Sequence, residues 1–306
     1  MQFAELQRGL ATVVAIPITP FAADGSADFE TYARLLERMV DNGITVVTPN
    51  GNTSEFYSLN ADEHRREVDV TADAVRGQAY ILSGVGFEAN TAAEMARYAA
   101  SRGAHAVMVH QPVHPFKSDE GWIAYHKIVA DAVPELAIVP YLRDATIRPA
   151  ALSRLADLCP NFVAIKYAVT NPLQFAATVQ SVGQDRLTWI CGVAESWAPF
   201  FWPGGATGFT SGLVNLTADF SLGMLAALDA GDYAQTMSLW NTVRPFEELR
   251  ARHNNGNNVS VVKEAMAQMD LCQATVRPPI TELVQAEKAE VSQILVQLGL
   301  SQAVAA

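Results

Sequence analysis

Cysteine is nearly missing from this chain. The three present, Cys159, Cys191 and Cys272, are too far apart for metal-ligand or redox-pair spacing, and an odd count suits free thiols in a reducing, cytoplasmic compartment. Positive charge is also short: 21 Lys and Arg stand against 32 Asp and Glu, for a formal net charge of −11. That balance argues against nucleic-acid binding, which needs a basic footprint. It still permits an anionic small substrate, because a local pocket can oppose the global field. No apolar run approaches the roughly 20 residues of a membrane span, so no membrane partner is expected. MQFAELQRGLATVVAI lacks the basic segment, apolar core and cleavage site of a signal peptide. GGATG, at 204–208, is neither a GxGxxG nor a P-loop pattern, so no nucleotide site is expected there. Of the histidines, His105, His110 and His114 come nearest to a cluster. Pro112 and Pro115 stop the last two from sharing a helix face, so no metal site is expected.

What is present is apolar. Hydrophobic residues make up 50% of 306 and charged ones 17%. That is enough for one large α/β domain with an appendage, or for two ordinary domains. Eight apolar runs read as strands, at 12–18, 45–49, 80–85, 106–110, 136–141, 162–168, 187–192 and 207–211. Most are too continuously apolar for a half-exposed antiparallel sheet and suit parallel strands covered on both faces. Amphipathic stretches alternate with them. At 29–41, Tyr32, Leu35, Leu36 and Met39 share one face. Asn60 with Glu63 reads as a capping box opening a helix to about residue 75, and Thr91 with Glu94 carries the same signal. Further helices are expected at 119–132, 149–158, 172–181 and 196–202, the last interrupted by Pro199. Eight strand–helix units point to an α/β fold, a (β/α)8 TIM barrel, with an open doubly wound sheet as the rival. The strand signal ends near residue 217, and helices follow at 218–228, 233–251, 258–269 and 282–298. The expected division is a catalytic barrel at 1–216 and a helical C-terminal extension at 217–306.

In such barrels reactive groups gather at the C-terminal ends of the strands. Three distant stretches can therefore meet: NGNTSEF after the second strand, PYLRDAT ending the fifth, and Lys166 within FVAIKYAVT on the sixth. Lysine is rarely buried without a purpose. An inward lysine loses proton affinity through desolvation, and its neutral amine attacks carbonyl carbon, the basis of Schiff-base chemistry. The alternative is a lysine that snorkels or pairs with a carboxylate. Tyr141 can present a hydroxyl that donates and accepts protons, or can simply pack on the rim. The GNTSE turn offers hydroxyls and N–H groups to a carboxylate, or is an ordinary turn; Glu55 is either a solvated charge or anchors the loop through its backbone. Trp189, Trp197, Trp202 and Trp240 read as packing, and RRE at 65–67 as a solvated helix face.

Taken in order, these segments resemble the dihydrodipicolinate synthase / N-acetylneuraminate lyase superfamily. The resemblance rests on IPITPF with Asp24–Gly25, NGNTSE with SLNADEH, QPVHPFKSDEG, PYLRDAT, FVAIKYA and GGATGFTSGLVN, and spans nearly the whole chain. It implies a homotetrameric barrel enzyme, with no metal or organic cofactor, acting on pyruvate or another 2-oxo acid. By resemblance Lys166 forms the Schiff base and Tyr141 transfers protons. Thr53 and Ser54 hold the substrate carboxylate, with Asn52, Arg143 and Ser211 as further substrate-binding residues. Arg143 either faces a distal carboxylate or pairs with Asp144 or another acid.

Four positions depart from the synthases. Their loop reads GTTGE, where Asn52 and Ser54 stand here. His114 takes the place of a relay tyrosine, and Thr146 that of an arginine. YLRDAT, EFYSL and VRPPITEL are instead similar to the 5-dehydro-4-deoxyglucarate dehydratase branch, which removes water and carbon dioxide from a deoxy-keto sugar diacid. That branch usually has Asp-Gly after the lysine, where this chain has Tyr167 and Ala168. The expected function is a Schiff-base lyase, an aldolase or dehydratase, on such a 2-oxo acid. The alternatives are pyruvate condensation of the synthase type, a 2-oxo acid binding protein without turnover, and a barrel isomerase with a phosphate site near strand eight.

Overall fold

The computed structural model describes residues 3–301. After α1 (Phe3–Gly9) come β1 (Val13–Ala15), α2 (Phe29–Asp41), β2 (Val46–Val47), α3 (Ala61–Val75), β3 (Tyr80–Val85) and α4 (Ala89–Ser101). The alternation continues through β4 (Ala106–Val109), α5 (Asp119–Ala132), β5 (Ala137–Leu142), α6 (Pro149–Leu158), β6 (Ala164–Tyr167) and α7 (Pro172–Val182). It ends with β7 (Thr188–Cys191), α8 (Ala194–Phe201), β8 (Gly208–Ser211) and α9 (Asp219–Asp229). The helices α10 (Tyr233–Asn255), α11 (Asn258–Gln268) and α12 (Gln285–Gln297) form the C-terminal part. The strands pair in parallel in chain order and β8 returns to β1, closing the barrel. This is the expected (β/α)8 TIM barrel with a helical extension, and closure removes the open-sheet rival.

The alternation of side chains along each strand makes two cores. Val14, Val46, Leu82, Met108, Val139 and Ile190 fill the barrel, joined by Leu6 and Leu10 from the α1 region. Val13, Val47, Val107, Ile138, Ile165 and Trp189 face the surrounding helices. The helix α1 lies at the N-terminal end of the strands, where the Thr188 hydroxyl donates to the Gln7 carbonyl at 2.6 Å. The opposite end is left for chemistry. The helix α9 packs against both β1 and α10, linking barrel and extension.

The β1 and β2 ladders are shorter than their apolar runs. Pro17 and Pro49 carry no N–H and so cannot donate to the ladder, although the Pro49 carbonyl still accepts from Gly84 N at 2.8 Å, while Ile16 and Ile18 stay buried. The Asn60–Glu63 capping box forms as expected. The expected box at Thr91 does not. Glu88 caps that helix instead, accepting from the Asn90 and Thr91 backbone N–H groups, and the helix starts earlier, at Ala89. A second correction concerns Glu67, which is fully buried on the inner face of α3 and not solvated.

One buried asparagine holds the β1–β8 seam. Asn215 accepts from Ile18 N at 2.9 Å and donates to the Ile16 and Gly212 carbonyls at 2.9 and 2.8 Å. Asn215→Ala would strand those groups without water. The expected cost is about 2–4 kcal/mol, read as a lower urea midpoint at unchanged slope.

Candidate active site

On β6, Ile165 and Tyr167 pack outward among the helices. Parity therefore sends Lys166 inward with Ala164. Its Cα partner on β5 is Tyr141, and its Nζ lies 4.0 Å from the centroid of the Tyr141 ring. Lys166 is 4% exposed. Gly192 makes room for its stem, since a Cβ there would stand 2.8 Å from Lys166 Cγ. Among the described residues no carboxylate pairs with the amine, so the ion-pair alternative does not apply. Burial brings its pKa down to about 7, helped by the nearby Arg143 charge and opposed by Cys191. The site thus holds an amine that is substantially neutral near physiological pH.

Tyr141 is buried beside it, and its hydroxyl accepts a hydrogen bond from Asn52 Nδ2 at 3.1 Å. Burial raises the phenol above its ordinary value, while Arg143 and the Asn52 bond pull it back. Asn52 sits in a loop whose ends, Asn50 and Glu55, are left-handed, with φ of 59° and 58°. Within it Ser54 is occupied. Its Oγ donates to the Pro17 carbonyl at 2.7 Å and accepts from Gly51 N at 3.1 Å, and its own N–H donates to the Gly51 carbonyl at 3.1 Å. The Asn52 and Thr53 N–H groups find no acceptor among the described residues. Together with the buried Thr53 they make a donor set suited to a carboxylate.

Groups outside the expected set hold this loop. Glu67 accepts from Asn50 N at 2.7 Å and bonds the Thr19 hydroxyl. Burial lifts its pKa to about 7. His64 Nδ1 lies 2.9 Å from Asn50 Oδ1, and His110 Nε2 lies 2.8 Å from the Asn50 carbonyl. Burial drives these imidazoles down to about 4 and about 3, so both are neutral. A side chain at Gly84 would collide with the Asn50 carbonyl, its Cβ lying 2.0 Å away, so the loop can cross β3 only over a glycine. At the far end, Glu55 departs from both expectations: it is buried, and it anchors the loop through its carboxylate, on Lys263 and the Arg277 N–H, and not through its backbone alone.

Beyond the ends of β4 and β5 the barrel mouth opens into a cavity of 420 Å³, lined by Tyr57, Gln111, Lys117, Arg143 and Asp144 among others. Asp144 pairs with Lys117 at 3.3 Å and accepts from Thr146 at 2.6 Å. Arg143 therefore does not pair with Asp144, and no acid among the described residues pairs with it. Its guanidinium lies 5.9 Å from the Tyr141 ring centroid. Tyr57 shares the mouth, its phenol raised to about 12 mainly by burial. A larger cavity of 750 Å³ lies between α3 and α4, and neither it nor the mouth cavity is lined by Lys166 or Tyr141; the mouth cavity borders them through Arg143.

Lys166, Tyr141, Asn52 and Arg143 thus come together, with Thr53 next to Asn52 in the same loop. Ser211 does not. Its hydroxyl faces α9, 3.2 Å from Ser221 Oγ, and that hydroxyl donates to the buried Glu195 at 2.5 Å. His114 is exposed and accepts from Phe116 N within its own loop. His105 accepts from Ile81 N near the start of β3, so the three histidines do not converge. After β8, Arg250 packs on Gly212, and its charge is already paired with Glu247 at 2.6 Å. Lys263, which sequence reasoning missed, carried a legible signal: it sits in SVVKEAM, an apolar setting like that of Lys166.

The family model described as the Dihydrodipicolinate synthetase family matches residues 9–298. A crystal structure of dihydrodipicolinate synthase from Bacillus clausii superposes with TM-score 0.93 at 42% identity, covering 96% of this chain and all of that one. A Rhodococcus opacus protein named "Probable 5-dehydro-4-deoxyglucarate dehydratase" is 32% identical over 287 residues, 92% of this chain and 93% of its own length. A Bradyrhizobium protein of the same name is 30% identical over 293 residues, covering 94% and 92%.

Proposed function

The chain belongs to the dihydrodipicolinate synthetase family, as a lyase of that family, and on that premise we propose that it forms a Schiff base between Lys166 and a 2-oxo acid. The observation that carries this reading is the buried, acid-free amine of Lys166 against Tyr141. The neutral nitrogen attacks the keto carbon, and the keto oxygen leaves as water once protonated. The iminium then acidifies the adjacent carbon. Loss of a proton gives an enamine, which expels a protonated hydroxyl one carbon further on as water; in the aldolase alternative the iminium itself takes up the electrons of the breaking C–C bond, so that cleavage yields the enamine and a carbonyl fragment. Tyr141 carries the protons between these steps. The Asn52 and Thr53 N–H groups with the Thr53 hydroxyl hold the substrate carboxylate, and Ser54 keeps the loop's shape. The domain division at residues 216/217, a homotetrameric assembly and a cytoplasmic setting belong to the same proposal.

Arg143 favours a diacid, so the dehydratase relatives' substrate, 5-dehydro-4-deoxyglucarate, is the preferred class. A second reading, condensation of pyruvate with an aldehyde, is favoured by the 42% identity to the Bacillus clausii synthase. Borohydride trapping with pyruvate and with 5-dehydro-4-deoxyglucarate, followed by peptide mapping, tests the common step. The expected result is an adduct on the Lys166 peptide. Carbon dioxide release from the diacid supports dehydration, and a cyclised condensation product supports the second reading. Binding of both acids without any adduct would leave only a non-catalytic binding protein.

Arg143→Met isolates the distal contact. KM for the diacid is expected to rise about tenfold or more, the worth of one charge-assisted bond, while pyruvate trapping at saturation is retained. Because the Arg143 charge lowers the Lys166 pKa, the acid limb of adduct formation should also move to higher pH. An unchanged diacid KM would remove Arg143 from the site.

A further inference from the structure

Resting on the Schiff-base reading, we propose that Lys263 is a positioning residue for proton transfer: its ion pair with Glu55 holds the 50–55 loop so that Asn52 stays on the Tyr141 hydroxyl.

Lys263 lies on α11, 208 positions from Glu55, yet Nζ and Oε1 are 2.5 Å apart and both side chains are wholly buried. The same Nζ donates to the Thr275 carbonyl at 2.9 Å and lies 3.9 Å from the Phe21 ring centroid. The other Glu55 oxygen accepts from Arg277 N at 2.9 Å. Arg277 also grips Glu63 at the start of α3 with bonds of 2.8 and 2.7 Å. The carboxylate is thus fixed from two segments of the C-terminal part.

Such a pair adds little net stability, because desolvation offsets its attraction. Its value here is geometric. Glu55 holds a φ of 58°, a conformation that a non-glycine residue keeps only when its surroundings impose it. From that fixed backbone the Glu55 N–H donates to the Asn52 carbonyl at 3.0 Å, and Asn52 Nδ2 donates to Tyr141 Oη at 3.1 Å. Three successive contacts therefore run from α11 to the reacting phenol. The last link has a direction. An amide nitrogen only donates, so Tyr141 accepts from Asn52 and its own proton is left to face the substrate. A hydroxyl in place of Asn52 would leave that direction unspecified.

The test compares Lys263→Met, Asn52→Ala and the combined variant, with kcat expressed per borohydride-trappable site. That normalisation removes any effect of reduced folding. Each single variant is expected to lose about tenfold in kcat, the worth of one hydrogen bond. The alkaline limb of the kcat profile should move to higher pH, because the donor that favours the phenolate has loosened. The combined variant should lose no more than either single one. If Lys263→Met does not fold, Glu55→Gln/Lys263→Met removes both charges without stranding one, and the same loss and shift are expected of it. Wild-type kcat and pH limb per site, or losses that multiply in the combined variant, would overturn the proposal. Absence of any adduct in the wild type would instead bring down the Schiff-base reading on which it rests.

Discussion

Lys166→Met abolishes both turnover and the borohydride adduct, with kcat falling by at least about 10⁴-fold, the scale seen when a covalent nucleophile is removed. Methionine fills the stem's space beside Gly192, and no carboxylate is stranded, because none among the described residues pairs with Lys166. The variant should therefore fold, and its stability has a definite pH dependence. In the native protein the amine's pKa is about 7, well below the roughly 10.4 of an unfolded lysine. Between those values the unfolded chain binds the extra proton, so wild-type stability rises with pH there. Below pH 7 both states are protonated and the penalty of the buried charge is complete. Lys166→Met escapes that penalty. Its stability advantage over wild type should be largest below pH 7 and fade toward about pH 10.4, as measured by denaturant unfolding at several pH values. Adduct formation in the wild type should slow about tenfold per unit below pH 7, because only the neutral amine attacks. A trapped adduct in the methionine variant, mapped to another lysine, would move the chemistry elsewhere.

That lysine was legible because burial and charge conflict within one short run. The strand reading put Lys166 in a run covered on both faces, and the barrel reading brought Tyr141 and the 50–55 loop within reach of it; its inward parity came only with the packing of Ile165 and Tyr167 against the helices. The helices were legible for similar reasons: Pro149 and Pro172 open α6 and α7, and Asn60 with Glu63 caps α3. What stayed hidden depends on contacts between distant segments. Glu67 lies in a charged run, ADEHRRE, and nothing local says that its carboxylate turns inward to Thr19 and Asn50. Ser211 lies on a strand whose parity sends its hydroxyl toward α9, and the apolar run gave no phase for that strand. Glu88 caps in place of Thr91, its carboxylate reaching forward to the Asn90 and Thr91 N–H groups, and the capping-box pattern does not look for glutamate at that position. Lys263 needed the packing of α11 on the loop, which no periodicity encodes. Its apolar flanks carried the same signal as Lys166, but in a helix half the neighbours in sequence are not neighbours in space.

Tyr141→Phe separates nucleophile from proton carrier. Phenylalanine keeps the ring under the Lys166 amine, 4.0 Å from its centroid, and removes only the oxygen that Asn52 bonds. Asn52 is partly exposed, so its freed N–H can turn to water, and the fold should survive. The amine remains neutral and aimed at the same space, so an iminium can still form, slowly, with water moving the protons. Turnover needs that transfer repeatedly: to expel the keto oxygen, to make the enamine, and to release product. The expected result is a fall in kcat of about 10²–10⁴-fold, the usual worth of general acid–base catalysis, with little change in KM and with adduct still trapped after long incubation. Time-resolved trapping beside steady-state assays reads both quantities on one preparation. If Tyr141→Phe turned over at the wild-type rate, the proton would have to travel by another group. Tyr57, held at the mouth with a phenol raised to about 12, is the next hydroxyl to remove. If the variant lost the adduct as well as turnover, Tyr141 would be required for attack itself, and the division of labour between the two side chains would have to be redrawn.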